Sequence, residues 1–472
     1  MNFKHCTLFT TALCNLNCSY CYICKDSEGG LHQIDKDIEN DFKNKTYIKQ
    51  LLDYDESLKD SIEGITLWGG EPFLKLERFT EQVEDWFLNF PNINTIMTST
   101  NFTLPDHIDK LEKLLKEISK YYKKTQGKKL KFELQISIDG YEEMNDFGRG
   151  EGITKRFLEN FYKMLDMSYD TETIDLIVYT KPTLSRETFH FLDSKEKCYK
   201  WFKYFEEYLY NPYKDSTATW VFSNSIFNFA QPTEWSKEDG LFVRDLIKNI
   251  LDITDQVFEE CPGWRNCISL NPFLITLATQ LDTVGPIFSF EQVAKERRHP
   301  TCGGGCGSFV GNIVPITHGK FTMCHRGVFD EYIDYVNNLN NQKTMNGLSE
   351  KFFKSSNVED WVYSKEEMKT SQTMMLPLYT CPNQIIYTDV VTFVREYAFA
   401  GIIDEKYKDI KNAELAVDYF LRRSYCVQDA YLQNGSWTTL PTYEFPLLLN
   451  GALDLSIEEF NKILTKKGWK ID

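Results

Sequence analysis

Cys14, Cys18 and Cys21 lie within Cys14-Asn15-Leu16-Asn17-Cys18-Ser19-Tyr20-Cys21, spaced C-x-x-x-C-x-x-C. Three thiolates on one short loop can hold three irons of a [4Fe–4S] cube and leave the fourth iron open to a small molecule. A zinc loop is the other reading; it needs a fourth Cys or His, and Cys24 is near enough in sequence to serve. Cysteines number thirteen, an odd count for a disulfide framework. They cluster at 14/18/21, 261/267 and 302/306/324, with Cys381 and Cys426 isolated. In a chain without a secretory signal, such clustering favours ligation over cross-linking. Cys6, Cys24 and Cys198 stand outside these groups and read as small hydrophobes.

These residues need elements to position them. His5 to Thr11 reads as a strand that feeds the cysteine loop. Ile65-Thr66-Leu67-Trp68 is a short apolar run closed by Gly69-Gly70, a strand with a turn at its end. Leu76, Phe79, Val83 and Trp86 recur at helical spacing. Asn94 to Ser99 reads as a strand and residues 108–122 as an amphipathic helix. From Leu130 to Asp139 apolar and polar residues alternate, which puts Ser137 and Asp139 on a polar strand face. Ile174 to Thr180 and Ala218 to Phe222 supply two further strands. Six strand-helix units in series predict an α/β fold, a partial (β/α)6 TIM-like barrel, with chemistry on the loops after the strands. Beyond residue 230 the rhythm changes. Asn312 to Ile316 and Lys320 to Met323 read as a hairpin presenting Cys324, and two helical patterns surround Tyr419 and Phe460.

With these pieces in place the sequence resembles the radical SAM superfamily. The cysteine loop, with Tyr20 as the aromatic before the last cysteine, is similar to that family's signature. The resemblance implies that Cys14, Cys18 and Cys21 carry the cluster that binds S-adenosylmethionine. Gly69-Gly70-Glu71-Pro72 looks like the family's GGE motif; glycines let backbone approach a ligand closely, and Glu71 can accept hydrogen bonds from an ammonium group. Thr100-Asn101 resembles a polar position that contacts S-adenosylmethionine, although Phe102 stands where many members have Gly. Ser137-Ile138-Asp139-Gly140 and Asn145-Asp146-Phe147-Gly148-Arg149 look like the S-x-D-G … H-D-x-x-R pattern of peptide-modifying members, with Asn145 in place of the His. On that likeness Ser137 suits a ribose hydroxyl and Arg149 a carboxylate.

Cys306, Gly319 and Cys324 are similar to the opening of a SPASM or twitch-type auxiliary domain. The resemblance implies a second [4Fe–4S] cluster on Cys302, Cys306 and Cys324, with Cys381 as fourth ligand. The remaining cysteine block of a two-cluster SPASM domain is absent. Cys261, Cys267 and Cys426 leave open a further cluster, and His299, His318 and His325 leave open a zinc site. The division expected is a radical SAM core (1–230), a bridging helical region (231–300), an auxiliary cluster domain (301–400) and a C-terminal helical segment (401–472).

Composition narrows the function classes. At 472 residues the chain suits two or three domains, and 42% hydrophobic content excludes global disorder. A net charge of −16 opposes general nucleic-acid binding. No apolar run is long enough to span a bilayer. Only thirteen residues precede Cys14, so peptide recognition is expected to use other parts or another protein. The expectation is a cytoplasmic enzyme that generates a 5′-deoxyadenosyl radical to modify a peptide or protein, served by a reductant such as flavodoxin or ferredoxin. The rivals are a sulfatase-maturing (formylglycine-generating) enzyme and a non-catalytic iron–sulfur or zinc scaffold.

Overall fold

A computed structural model of the chain describes residues 3–21, 30–123, 127–223, 228–229, 312–317, 320–322 and 362–363, with isolated positions between 242 and 261 and residue 462. Its strands are β1 (His5–Thr11), β2 (Gly64–Gly69), β3 (Thr95–Thr100), β4 (Leu130–Ile136), β5 (Ile174–Thr180), β6 (Thr183–Leu184), β7 (Val221–Ser223), β8 (Asn228–Phe229), β9 (Asn312–Ile316), β10 (Lys320–Thr322) and β11 (Val362–Tyr363). The main sheet runs β11-β10-β9-β1-β2-β3-β4-β5-β7, and β6 pairs with β8 apart from it. From β9 through β7 all neighbours are parallel; β10 and β11 join antiparallel. The α/β class is as expected. Among the described residues no pairing joins β11 to β7.

Helices cross between the parallel strands: α1 (Gly30–Lys43), α2 (Thr46–Tyr54), α3 (Leu58–Ser61), α4 (Glu77–Thr80), α5 (Val83–Asn89), α6 (His107–Tyr121), α7 (Glu142–Arg149), α8 (Ile153–Leu165), α9 (Lys195–Phe205) and α10 (Asn211–Lys214). In α6, Leu111, Leu114, Leu115 and Ile118 are buried at the i, i+3, i+4, i+7 positions of one stripe. In β3 and β5 the burial alternates along the strand, whereas β1 is buried on both faces after His5. A parallel strand covered on both sides reads as a nearly continuous apolar run.

Three local expectations change. The helix expected from Leu76 to Trp86 is divided into α4 and α5. Gln82 leaves the helical region at φ −115° while its side-chain amide donates to the Phe42 carbonyl. Strand β4 ends at Ile136, so Ser137 and Asp139 lie in the loop beyond it, and Asp139 is fully buried. The hairpin forms as β9 and β10, but β9 also pairs in parallel with β1. It therefore extends the same sheet. Thr7 and Asn312 exchange side-chain hydrogen bonds of 3.2 and 3.0 Å across that seam. The helical patterns around Tyr419 and Phe460 lie outside the described residues.

Candidate metal centre

The cysteine loop leaves the C-terminal end of β1, and its base is tied from several sides. Thr11 Oγ1 (2.5 Å) and Ala12 N (3.2 Å) both donate to the buried Asp35 on α1. Arg78 pairs with Asp35 through two 3.0 Å bonds and donates to the Thr10 carbonyl at 2.8 Å. Neither Asp35 nor Arg78 was expected at the site. The available signal was a carboxylate interrupting the apolar stripe Leu31, Ile34, Ile38 and Phe42 of α1.

Gly69 and Gly70 bring β2 against the same segment. Gly70 N donates to Thr11 O (3.2 Å) and Glu71 N to Leu13 O (2.8 Å). A Cβ at Gly69 would overlap the Thr11 carbonyl, and one at Gly70 the Leu13 carbonyl. The close partner of this glycine pair is thus the backbone leading into the cysteine loop.

Glu71 is buried and its carboxylate is satisfied internally. Oε1 accepts from Phe73 N (3.0 Å) and Thr100 Oγ1 (2.8 Å), and Oε2 from Asn101 N (2.6 Å). The Thr100 hydroxyl also lies 2.5 Å from His107 Nε2. Because Leu104 N donates to His107 Nδ1 (2.9 Å), the ring proton sits on Nε2 and is donated to Thr100. The chain of donors runs His107 to Thr100 to Glu71. Burial pushes His107 down to about 3, so the ring is neutral. Burial pushes Glu71 up to about 7 against the pull of its hydrogen bonds. The Glu71 carboxylate fixes the start of the β3–α6 loop.

Asp139, Arg149 and Tyr20 form a buried lock. Arg149 donates to Asp139 through Nε (2.9 Å) and one terminal nitrogen (2.7 Å), and Tyr20 OH donates to the same carboxylate. Thr183 N adds a 2.9 Å bond, and Trp201 Nε1 holds the Asp139 carbonyl at 2.8 Å. Ser19 N donates to Gly148 O at 2.9 Å, and a Cβ at Gly148 would press on the Tyr20 ring at 3.1 Å. The bidentate partner of Arg149 is therefore Asp139, and the pair pins the cysteine loop to α7. Ser137 is half-buried at the rim after β4, where its backbone N–H bonds Thr100 O at 2.9 Å.

Cys14 is exposed, Cys18 and Cys21 are half-buried, and none of the three is in a disulfide. Asn101 Nδ2 lies 3.9 Å from Cys14 Sγ, and Leu16 N donates to the same sulfur at 3.4 Å. The protein atoms crowding the Cys14 thiol push it up to about 12, with the Glu71 carboxylate adding. Cluster binding must therefore displace a proton there. Among the described residues no three His, Cys, Asp or Glu side chains converge on one point. A cube takes each thiolate at a different iron and needs no such convergence, so an eight-residue loop carrying three cysteines outside any disulfide fits it. Cys6 and Cys198 are buried in the core, as small hydrophobes are, and Cys261 is buried as well. Cys24, Cys267, Cys302, Cys306, Cys324, Cys381 and Cys426 lie outside the described residues.

Residues 4–135 match a family model described as a 4Fe-4S single cluster domain. The C-x-x-x-C-x-x-C loop after β1 lies within that segment. An uncharacterized protein of Methanocaldococcus jannaschii, MJ0907, is 34% identical over 148 residues, 31% of this chain. The match spans 42% of that relative's length. The solved structure of native anSMEcpe with bound AdoMet is similar at a TM-score of 0.43 and 16% identity, covering 85% of this chain and 98% of the other. No helix among the described residues is long and apolar enough to cross a membrane.

Proposed function

We propose that the chain is a radical SAM enzyme that modifies a peptide or protein. The observation that carries this reading is the three-thiol loop at the C-terminal end of β1, which lies inside the matched segment and is tied to the turn after β2 and to Asp139 beyond β4. In this reading Cys14, Cys18 and Cys21 hold the cluster. When bound, it supplies one electron that cleaves S-adenosylmethionine to a 5′-deoxyadenosyl radical. The chain's own residues hold that chemistry in place. Gly69 and Gly70 admit the loop backbone, Glu71 fixes the β3–α6 loop beside Cys14, and Asp139 with Arg149 anchors Tyr20. Ser137, half-buried at the rim, is suited to a ribose hydroxyl. Cys302, Cys306, Cys324 and Cys381 are proposed to hold an auxiliary cluster that accepts an electron or binds substrate. The Ser137…Arg149 and Cys306…Gly319…Cys324 motifs together favour a peptide substrate over a nucleotide, as does the net charge of −16.

Changing Cys14, Cys18 and Cys21 together to Ala should remove about four irons per chain and abolish 5′-deoxyadenosine formation after anaerobic reconstitution. Retained cleavage of S-adenosylmethionine by that variant rejects the assignment. With wild-type enzyme and reductant, a genetically linked peptide should lose two hydrogens in mass or gain an oxidised side chain. Formylglycine on a linked sulfatase would select the maturase alternative.

A further inference from the structure

We propose that Asn101 is a positioning residue that sets the reduction potential of the cluster through the Cys14 sulfur; this rests on the ligation by Cys14 proposed above. The Asn101 amide has one permitted orientation. Its Oδ1 accepts from Thr103 N at 3.1 Å and from Thr103 Oγ1 at 2.7 Å. Its Nδ2 donates to Asn15 Oδ1 at 2.8 Å and faces Cys14 Sγ at 3.9 Å. A flipped amide would set its N–H groups against the Thr103 N–H and its oxygen against that of Asn15. Asn15 is oriented in turn, because its Nδ2 donates to Thr103 Oγ1 at 3.0 Å. Asn15, Asn101 and Thr103 thus close a ring of hydrogen bonds that leaves the second Asn101 Nδ2 hydrogen facing the Cys14 sulfur.

The backbone under this ring is equally constrained. Asn101 N is held by Glu71 Oε2 at 2.6 Å. Phe102 sits at φ 59°, a left-handed conformation that a bulky residue adopts only when its surroundings impose it. Its ring is fully buried against His107 and Phe157, and Asn160 Nδ2 donates to its carbonyl at 3.0 Å. So much fixation around a half-buried rim is unnecessary for a plain turn. It suits a donor that must hold its place while charge on the sulfur changes. A bound [4Fe–4S] cluster gains one electron on reduction, and the added negative charge is shared by its thiolate sulfurs. An N–H dipole aimed at such a sulfur stabilises the reduced form more than the oxidised one and raises the potential.

The test is a mediated potentiometric titration of the anaerobically reconstituted full chain with dithionite, read by electron paramagnetic resonance of the reduced cluster. The Cys14/Cys18/Cys21 triple variant identifies which signal belongs to this site. Asn101→Leu removes the donor, and Thr103→Val loosens its orientation while leaving the amide in place. Both should keep their iron and titrate at a more negative midpoint, with the larger shift for Asn101→Leu. Should Asn101→Leu fail to take up iron, the Thr103→Val midpoint decides. An unchanged midpoint, on a signal that the triple variant removes, overturns the inference alone. A triple variant that loses none of the wild-type signals overturns the ligation by Cys14 and this inference with it.

Discussion

Asp139 gathers donors from Tyr20, Arg149 and Thr183 onto one fully buried carboxylate. Removing one partner of such a pair leaves the other charge buried without compensation, at a cost of about 3–5 kcal/mol. Arg149→Met is expected to lose stability of that order in chemical denaturation, and to take up less iron because Tyr20 loses its anchor. Glu71 makes a second residue-scale prediction. Its folded value of about 7 lies above the ordinary 4.5, so the folded state binds its proton more tightly than the unfolded chain. Its contribution to stability is greatest below about pH 4.5, is lost as pH rises, and is level above about 7. At ~1.4 kcal/mol per pH unit, wild type should lose up to about 3 kcal/mol relative to Glu71→Gln between pH 4.5 and 7. Denaturation of both proteins across that window checks the sign. A difference that is flat or grows in favour of wild type as pH rises contradicts it.

At the scale of elements, the loop after β1 is placed by the ends of its neighbours more than by its own sequence. The turn after β2 admits it because Gly69 and Gly70 have no Cβ. Gly69, at φ 152°, also adopts a backbone conformation that favours glycine. Gly70→Ala must displace the Leu13 carbonyl, which is backbone and cannot swing aside as a side-chain tip would. The variant is expected to be destabilised by ~2 kcal/mol or more and to take up less iron, with stability and iron content measured on the same preparation. Phe102 shows the opposite device in the β3–α6 loop. There a side chain occupies a backbone conformation suited to glycine, and burial of its ring offsets the strain.

For the molecule as a whole, β9 is distant in sequence yet pairs with β1, and Ile313 and Val314 join the apolar core. The short strand Asn312–Ile316, inside the stretch expected to form an auxiliary domain, therefore extends the core sheet. Asn312→Ala deletes the exchange with Thr7 and should cost about 1 kcal/mol. Hydrogen exchange should quicken at the amides of β9 and β1 while those of β4 and β5 keep their protection. Uniform acceleration across the sheet would show that the seam is not a local unit.

The amino-acid sequence alone determined the series of parallel strands and the cysteine loop. Period-two burial along β3 and β5, the helical stripe of α6 and the three thiols are all local patterns, and local patterns survive without knowledge of what packs against them. It also singled out Gly69, Gly70, Glu71, Asn101, Asp139 and Arg149 for attention, as candidates by resemblance. Their partners came only from tertiary structure. Arg149 meets Asp139 because a helix turns back over the end of β4, and Asp35 meets Arg78 across 43 residues. His107 is neutral because the fold removes it from water. Such pairings depend on desolvation and on which segments lie side by side, and neither is encoded at a fixed spacing along the chain.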